Sequence, residues 1–513
     1  MPGDSPTVAD ILRRQARSRA EHPLLVCDGD RIRYGEAYQR SAELARGLIA
    51  YGAGKGTHVG LLYPNGTDFV VGVLTAARIG AVVIPFSTFA TARELREQLV
   101  DSDTEILFAA SSFRSHDYVR RLTEVVSPAG LDGDERLFAT AVPQLRRVVV
   151  DSGRVYTAAR TVAPALLEAM EDDVDGCDPL AIVYTSGSTS APKGVVHTHA
   201  GLIGHQRNLN EIRRLTAADR LFCNSPFFWI GGFAFGLLAT LVAGSTLVCS
   251  NATDAGEILD VLETERPTVT NGFVAGIAHL ADHPSFPGRD LSSMRRGNLY
   301  PIMAPDARPA DPELRHNMLG LTEAGSVVLI SGEESDQPEH RRGSFGRPAP
   351  GFDTKIVDAD ASGVGELCIR GPYVMQGYYK RSREECFDAD GWFHTGDLVR
   401  ADADGFFYFA GRLSAMIKTA GANVSAAEVE KAIAKVTGAE SHVVGIPDAR
   451  RGELVAAVVA RPGLDEAALR ERLKTELSAY KIPRRFIALP HNEIPRLSSG
   501  KVDTQRLRKL FDA

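Results

Sequence analysis

Tyr184-Thr-Ser-Gly-Ser-Thr-Ser-Ala-Pro-Lys-Gly194 follows directly on the apolar run Pro179-Leu-Ala-Ile-Val183. The apolar run reads as a short buried strand ending in a loop. That loop carries five Ser/Thr hydroxyls, two glycines, a proline and one lysine, with almost nothing to pack in a core. Backbone N–H groups, hydroxyl donors and a single cation are what a loop wrapped around phosphate requires. The competing reading is a solvated Ser/Gly linker. The stretch is not a Walker loop, because Val195 rather than a hydroxyl residue follows Lys193-Gly194, and it is not Gly-x-Gly-x-x-Gly.

Upstream, apolar strands alternate with amphipathic helices. A helix over 5–22 leads to strands at Leu24–Val26 and Arg31–Tyr34, joined by the turn Asp28-Gly29-Asp30. Further strands are expected at Val59–Tyr63, Ala81–Ile84, Glu105–Phe108, Arg147–Val150, Ala181–Tyr184 and Arg220–Asn224, with a helix at Asp68–Arg78. This alternation predicts an α/β sheet architecture. Trp229 to Cys249 carries no charge over a bilayer-length span. Four glycines interrupt it, so it reads as a buried helix near Phe233–Val242 and a strand near Thr246–Cys249.

After residue 340 short strands and Gly-rich turns predict a β-rich subdomain, with strands at Thr354–Asp358, Gly365–Arg370 and Gly405–Ala410. A last unit of about a hundred residues has an α+β pattern of its own. It opens with Ser425-Ala-Ala-Glu428 as a capping box. Helix-spaced Val429, Ile433 and Val436 follow, then strands near Ser441–Gly445 and Leu454–Ala460, a helix at Asp465–Leu477 and a strand at Arg485–Leu489. The boundary falls at Leu413–Ser414, giving domains 1–413 and 414–513.

Composition narrows the function. The 513 residues exceed one core, and the apolar and charged fractions, 44% and 24%, are those of a globular protein. A net charge of −7 gives no nucleic-acid footprint. Six scattered cysteines without Cys-x-x-Cys point away from zinc or a disulfide framework and towards a reducing cytoplasm. No signal peptide or membrane span is read.

Five segments then form an ordered set. They are the loop Thr185–Gly194, Gly320-Leu-Thr-Glu323, Gly391-Trp-Phe-His-Thr-Gly-Asp397, Gly411-Arg412 with Ile417-Lys418 and Gly421-Ala-Asn-Val424, and Pro495-Arg-Leu-Ser-Ser-Gly-Lys501. In this order and spacing they resemble the adenylate-forming superfamily of acyl-CoA synthetases, peptide-synthetase adenylation domains and luciferases, over nearly the whole chain. The resemblance implies a large N-terminal domain that binds ATP and the acid, and a small mobile C-terminal domain. It implies that a carboxylate attacks the α-phosphate of ATP, giving acyl-adenylate and pyrophosphate, and that a second nucleophile then displaces AMP. Both reactants are anionic, so charge neutralisation is a large part of the task.

Residue by residue, the resemblance assigns Thr185, Ser186, Gly187, Ser188, Thr189 and Lys193 to the β- and γ-phosphates. Gly320, Leu321 and Thr322 border the nucleotide, with Thr322 at the α-phosphate. Glu323 holds Mg2+, Asp397 the ribose hydroxyls, and Arg412 the ribose and the hinge. Lys501 bridges α-phosphate and carboxylate, so Lys501, Glu323, Thr322 and Lys193 are the catalytic set. An acyl pocket is expected from Trp229, Gly232, Phe233, Gly297, Asn298, Leu299 and Gly320. It lacks an obvious Asp for an amino-acid ammonium group, which favours an apolar aliphatic or aryl acid. Trp229 reads equally as a core tryptophan.

Departures stand at Ser190, where glycine is common, and at Leu319, where an aromatic usually stacks on adenine. Phe345 or Tyr300 are the substitutes on offer. Ser414 and Ala415 stand at the hinge where Asp or Lys, then Asp, are usual. The leading expectation is an ATP- and Mg2+-dependent acyl-CoA synthetase in the cytoplasm, a monomer or homodimer. The alternatives are an amide bond synthetase, in which an amine replaces coenzyme A, and a catalytically inactive nucleotide-binding homologue.

Overall fold

A computed structural model describes residues 6–133, 135–185, 192–413, 416–496 and 502–512. The chain divides into two compact units. The first comprises Met1–Thr88, Leu99–Tyr184 and Gly194–Gly411, and the second Phe89–Gln98, Thr185–Lys193 and Arg412–Ala513.

In the first unit, parallel strands His58–Leu62, Val82–Pro85, Ile106–Ala109 and Arg147–Val149 build one sheet. Pro179–Thr185 joins it beside Val82–Pro85, through Val83 and Ala181. A second sheet runs in the order Arg296–Gly297, Val269–Asn271, Arg220–Cys223, Thr246–Cys249, Pro23–Cys27 and Asp30–Arg33. Its strands are parallel except for the closing hairpin at Cys27–Asp30. The inner strands read as apolar runs because both faces are covered, while the edge strand Asp30–Arg33 buries only Ile32.

The helix Thr67–Arg78 sits in the shared core, and every residue but Asp68 is buried. Its last residue brings a charge inside. Arg78 pairs with Glu171, and its Nη1 donates to the Tyr38 carbonyl at 2.6 Å and to Ser41 Oγ at 3.0 Å.

The uncharged stretch after Trp229 is a buried helix, but not a uniform one. Ile230–Gly232 and Ala239–Ala243 are α-helical, while Phe233–Leu238 is a π-helix. Gly244, at φ +74°, ends it. Among the described residues no helix is long and apolar enough to cross a membrane.

The β-rich part holds a four-stranded sheet of Asp353–Val357, Gly365–Arg370, Phe393–Ala401 and Phe407–Arg412. The strand expected to begin at Gly405 begins two residues later, because Gly405 takes a turn conformation at φ +79°.

The second unit has a sheet of Ala422–Ser425, Met416–Thr419, Gly452–Val459 and Ser441–Asp448, with Arg485–Ala488 parallel to Gly452–Val459. Helix Ala426–Thr437 covers it through Val429 and Ile433. The expected capping box is only half formed. Ser425 accepts from Glu428 N, but the Glu428 carboxylate accepts from Lys481 Nζ at 2.7 Å instead of turning back to the cap. The helix expected over Asp465–Leu477 is shorter, Glu466–Leu473, with Asp465 as its N-cap.

Candidate active site

The turn carrying Thr322 and Glu323 is held from behind. Leu319–Leu321 and Ser326–Ile330 form a hairpin, and Thr322–Ala324 is a single 3-10 turn between them, closed by Gly325 at φ +65°. Glycine supplies that left-handed conformation without steric cost. Three polar side chains beneath the hairpin bind its carbonyls. His197 Nε2 donates to Thr322 O at 2.7 Å, His205 Nε2 to Val327 O at 2.9 Å, and Gln206 Nε2 to Gly325 O at 3.3 Å. His197 lies on strand Lys193–Thr198, four residues after Lys193, and His205 and Gln206 on helix His199–Ile212. Burial pushes both histidines down to about 4, so they remain neutral donors at pH 7.

Glu323 is half-buried, and its Oε1 accepts from Tyr378 OH at 2.7 Å. Tyr378 belongs to the short strand Gly377–Tyr378, antiparallel to Lys193–Thr198 through Val195. Tyr379 N also donates to Gly194 O at 2.7 Å. The segment leaving the Ser/Gly loop is thus tied to Thr322 through His197 and to Glu323 through Tyr378. Glu323 offers a hard carboxylate oxygen, the donor type that Mg2+ takes. His197, His205, Gln206 and Tyr378 escaped the sequence reading. The one available signal was two buried-type histidines spaced eight apart behind Lys193.

The remaining expected residues fall as follows. Thr185 ends strand Pro179–Thr185 and Lys193 opens strand Lys193–Thr198, both grouped with the second unit. Gly320 is exposed and Leu321 buried on the hairpin. Ser186, Gly187, Ser188, Thr189 and Lys501 lie outside the described residues, as do Ser190, Ser414 and Ala415.

Asp397 is on strand Phe393–Ala401 and is fully buried. Its loop is fixed by Thr395 Oγ1, which donates to Leu367 O at 2.7 Å, and by Glu366 Oε1, which accepts from Gly396 N at 2.9 Å. Glu366, Cys368 and His394 cluster beneath it, His394 Nδ1 standing 2.8 Å from Glu366 Oε2 and 3.4 Å from Cys368 Sγ. Arg412 ends strand Phe407–Arg412.

The expected acyl-pocket residues separate. Gly297 and Asn298 line a cleft with Phe235, Thr270, Asn271, Tyr300 and Met318. At φ +107°, Gly297 comes so close to strand Val269–Asn271 that a Cβ would lie 1.9 Å from Thr270 O. Asn298 turns its amide to the backbone of Gly272, accepting from its N at 3.2 Å and donating to its O at 2.8 Å.

Phe233 and Leu299 are both fully buried in apolar clusters. Phe233 packs edge-on to Phe69, and Leu299 joins the cluster with Leu259 and Met294. Gly232 also serves packing, for a Cβ there would meet Pro226 O at 2.2 Å. Trp229 is half-buried and stands edge-on to Phe228 and Phe273. Of the two offered substitutes for the missing aromatic, Tyr300 lines the cleft and Phe345 packs on Phe409 at 5.9 Å.

Comparison with known proteins identifies the family. The AMP-binding enzyme family matches residues 12–379, and the AMP-binding enzyme C-terminal domain matches residues 428–501. A 3-[(3aS,4S,7aS)-7a-methyl-1,5-dioxo-octahydro-1H-inden-4-yl]propanoyl:CoA ligase of Mycobacterium tuberculosis is 33% identical, over 99% of this chain and 100% of its own. A fatty acyl CoA synthetase from Mycobacterium tuberculosis has a similar structure, with a TM-score of 0.68 and 26% identity over 98% of both chains. The amide bond synthetase of Marinactinospora thermotolerans shares the fold, with a TM-score of 0.76 and 24% identity over 99% of this chain and 100% of its own. The chain belongs to the AMP-binding enzyme family, in the acyl-CoA synthetase branch of the adenylate-forming superfamily, and is an AMP-forming acid ligase.

Proposed function

We propose that the protein joins an apolar carboxylic acid to coenzyme A in two steps on one site. In the first, a carboxylate oxygen attacks the α-phosphorus of ATP, the bond to the β-phosphate breaks, and pyrophosphate leaves. In the second, the sulfur of coenzyme A attacks the acyl carbon, the acyl–oxygen bond breaks, and AMP leaves with that oxygen while the thiol proton passes to solvent. The observation that carries this reading is the bracing of Thr322 and Glu323 by His197 and Tyr378, which ties that turn to the strand leaving the Ser/Gly loop. A bound Mg2+ at Glu323 would supply charge neutralisation at the phosphates. Thr322 orients the α-phosphate, and Lys501 meets the carboxylate in the adenylation step. Asp397, buried as it stands, must be uncovered before it accepts the ribose hydroxyls.

The full-length relative named for coenzyme A favours the thioester. The Ser414-Ala415 hinge sequence is the feature that favours the second reading, capture of the adenylate by an amine. Pyrophosphate release on adding a panel of acids with Mg-ATP tests the first step. Mass analysis of products formed with coenzyme A or with amines tests the second. No pyrophosphate from any acid discards the ligase reading.

A further inference from the structure

The cluster beneath the Asp397 loop has the geometry of a metal site. Glu366 and Cys368 lie two apart on strand Gly365–Arg370, so their side chains share one face of the sheet. His394, on strand Phe393–Ala401, is the direct cross-strand partner of Cys368 and joins them on that face. His394 Nδ1 stands 2.8 Å from Glu366 Oε2 and 3.4 Å from Cys368 Sγ, and the three ligand atoms all lie within 4.8 Å of one another. Zn2+ binds imidazole nitrogen and carboxylate oxygen at about 2.0 Å and thiolate at about 2.3 Å, which in a tetrahedron sets neighbouring ligand atoms about 3.3–3.6 Å apart. The sulfur–nitrogen edge already has that length. The oxygen–nitrogen edge opens by about half an ångström when an ion replaces the shared proton.

Outer partners hold two of the ligands in place. Glu366 Oε1 accepts from Gly396 N at 2.9 Å, which leaves Oε2 for the ion. Asp388 Oδ2 stands 3.5 Å from His394 Nε2, an acceptor on the side where the imidazole proton must sit when Nδ1 binds metal. Asp388 is itself fixed, its Oδ1 accepting from Trp392 N at 2.8 Å. The basic groups of this face are answered by other carboxylates. Lys355 Nζ lies 3.4 Å from Asp388 Oδ2 and over the Trp392 ring, and Arg370 Nη2 lies 3.1 Å from Asp353 Oδ2. The His394 side chain is 44% exposed while Cys368 is fully buried, so an ion enters past the imidazole and meets the sulfur beneath it. No Cys-x-x-Cys spacing announces the site, because its sulfur and nitrogen come from two strands, 26 residues apart in the chain.

We propose that Glu366 Oε2, Cys368 Sγ and His394 Nδ1 bind Zn2+, with water as the fourth ligand. Cys368 binds as the thiolate, and its proton, like any on His394 Nδ1, passes to solvent. Mg2+ takes oxygen ligands and is poorly served by a thiolate and an imidazole. The site is therefore separate from the one proposed at Glu323 and does not rest on the ligase reading. The ion ties two adjacent strands together beside the turn that carries Asp397, and so stabilises the folded first unit.

Co2+ reports on such a site. Thiolate ligation gives a charge-transfer absorption in the near ultraviolet, and tetrahedral geometry gives strong visible bands. The metal-free full-length protein with reduced thiols, titrated with Co2+, should show both, saturate at one ion per chain, and lose both when Zn2+ is added. Cys368→Ser should abolish the charge-transfer band. His394→Gln should weaken Zn2+ binding by at least about tenfold, since even the loss of an outer-shell partner costs that much. Cys177→Ser, at an exposed cysteine elsewhere, should leave the spectrum unchanged. Zn2+ but not Mg2+ should raise the melting temperature of the wild type, and the rise should shrink in His394→Gln.

Absence of the charge-transfer band, or a band that survives Cys368→Ser, overturns the proposal. So does a band lost in Cys177→Ser, or a Zn2+ affinity unchanged in His394→Gln. If Cys368→Ser does not fold, the stoichiometry and the His394→Gln affinity decide.

Discussion

His197 and Tyr378 hold the turn carrying Thr322 and Glu323 from neighbouring strands. Tyr378 OH donates to a carboxylate, a charge-assisted bond whose removal costs about 1.5–3 kcal/mol. Tyr378→Phe should therefore raise the Mg2+ concentration needed for half-maximal pyrophosphate release by about tenfold or more, with little change in melting temperature. An unchanged Mg2+ dependence would separate Tyr378 from the role proposed for Glu323. His197, His199 and His205 are each buried and pushed down from 6.5 to about 4 by desolvation. Each folded-state value lies below the unfolded one, so the unfolded chain binds the extra protons. Stability is then complete above pH about 6.5 and falls as pH drops towards about 4, by up to about 3 kcal/mol per histidine. Denaturant unfolding across that window reads the loss, and His205→Gln should flatten the slope. At this scale the sequence offers candidates where chemistry is local, as in the hydroxyl loop, most of which lies outside the described residues, and at Glu323. It is silent on His197, because a bond from residue 197 to residue 322 has no signature in either neighbourhood.

At the level of elements, the parallel strands and the helix Thr67–Arg78 were legible because strands covered on both faces are apolar throughout. The π-helix was not, since one widened turn leaves the apolar pattern of Phe233–Leu238 intact. Phe233 and Leu299, expected at the acyl pocket, are fully buried in apolar clusters. Phe235, two residues on, faces the cleft. Glu428 shows the same limit, for the residue that ought to close a capping box is claimed by Lys481 from outside the helix. Gly297 gives the sharpest prediction at this scale. Its positive φ and its approach to Thr270 both exclude a side chain, so Gly297→Ala should cost at least about 2 kcal/mol in denaturant unfolding. A loss below about half that would mean the strand edge gives way easily.

For the molecule as a whole, a charge network lies inside the first unit's core. Glu171 binds Arg78 and also accepts from Arg13 Nη2 at 2.6 Å, linking three helices. Removing one partner strands a buried charge, so Glu171→Ala should destabilise the unit by about 3–5 kcal/mol. A double change, Arg78→Met with Glu171→Leu, should recover much of that loss. The central claim concerns chemistry, that acid and ATP are joined through oxygen before coenzyme A enters. The most direct measurement supplies the acid with heavy oxygen in its carboxyl group and weighs the nucleotide released on thioester formation. Transfer of one heavy oxygen to AMP is the predicted result. AMP without the label, or label in inorganic phosphate with ADP as the nucleotide product, would contradict the account.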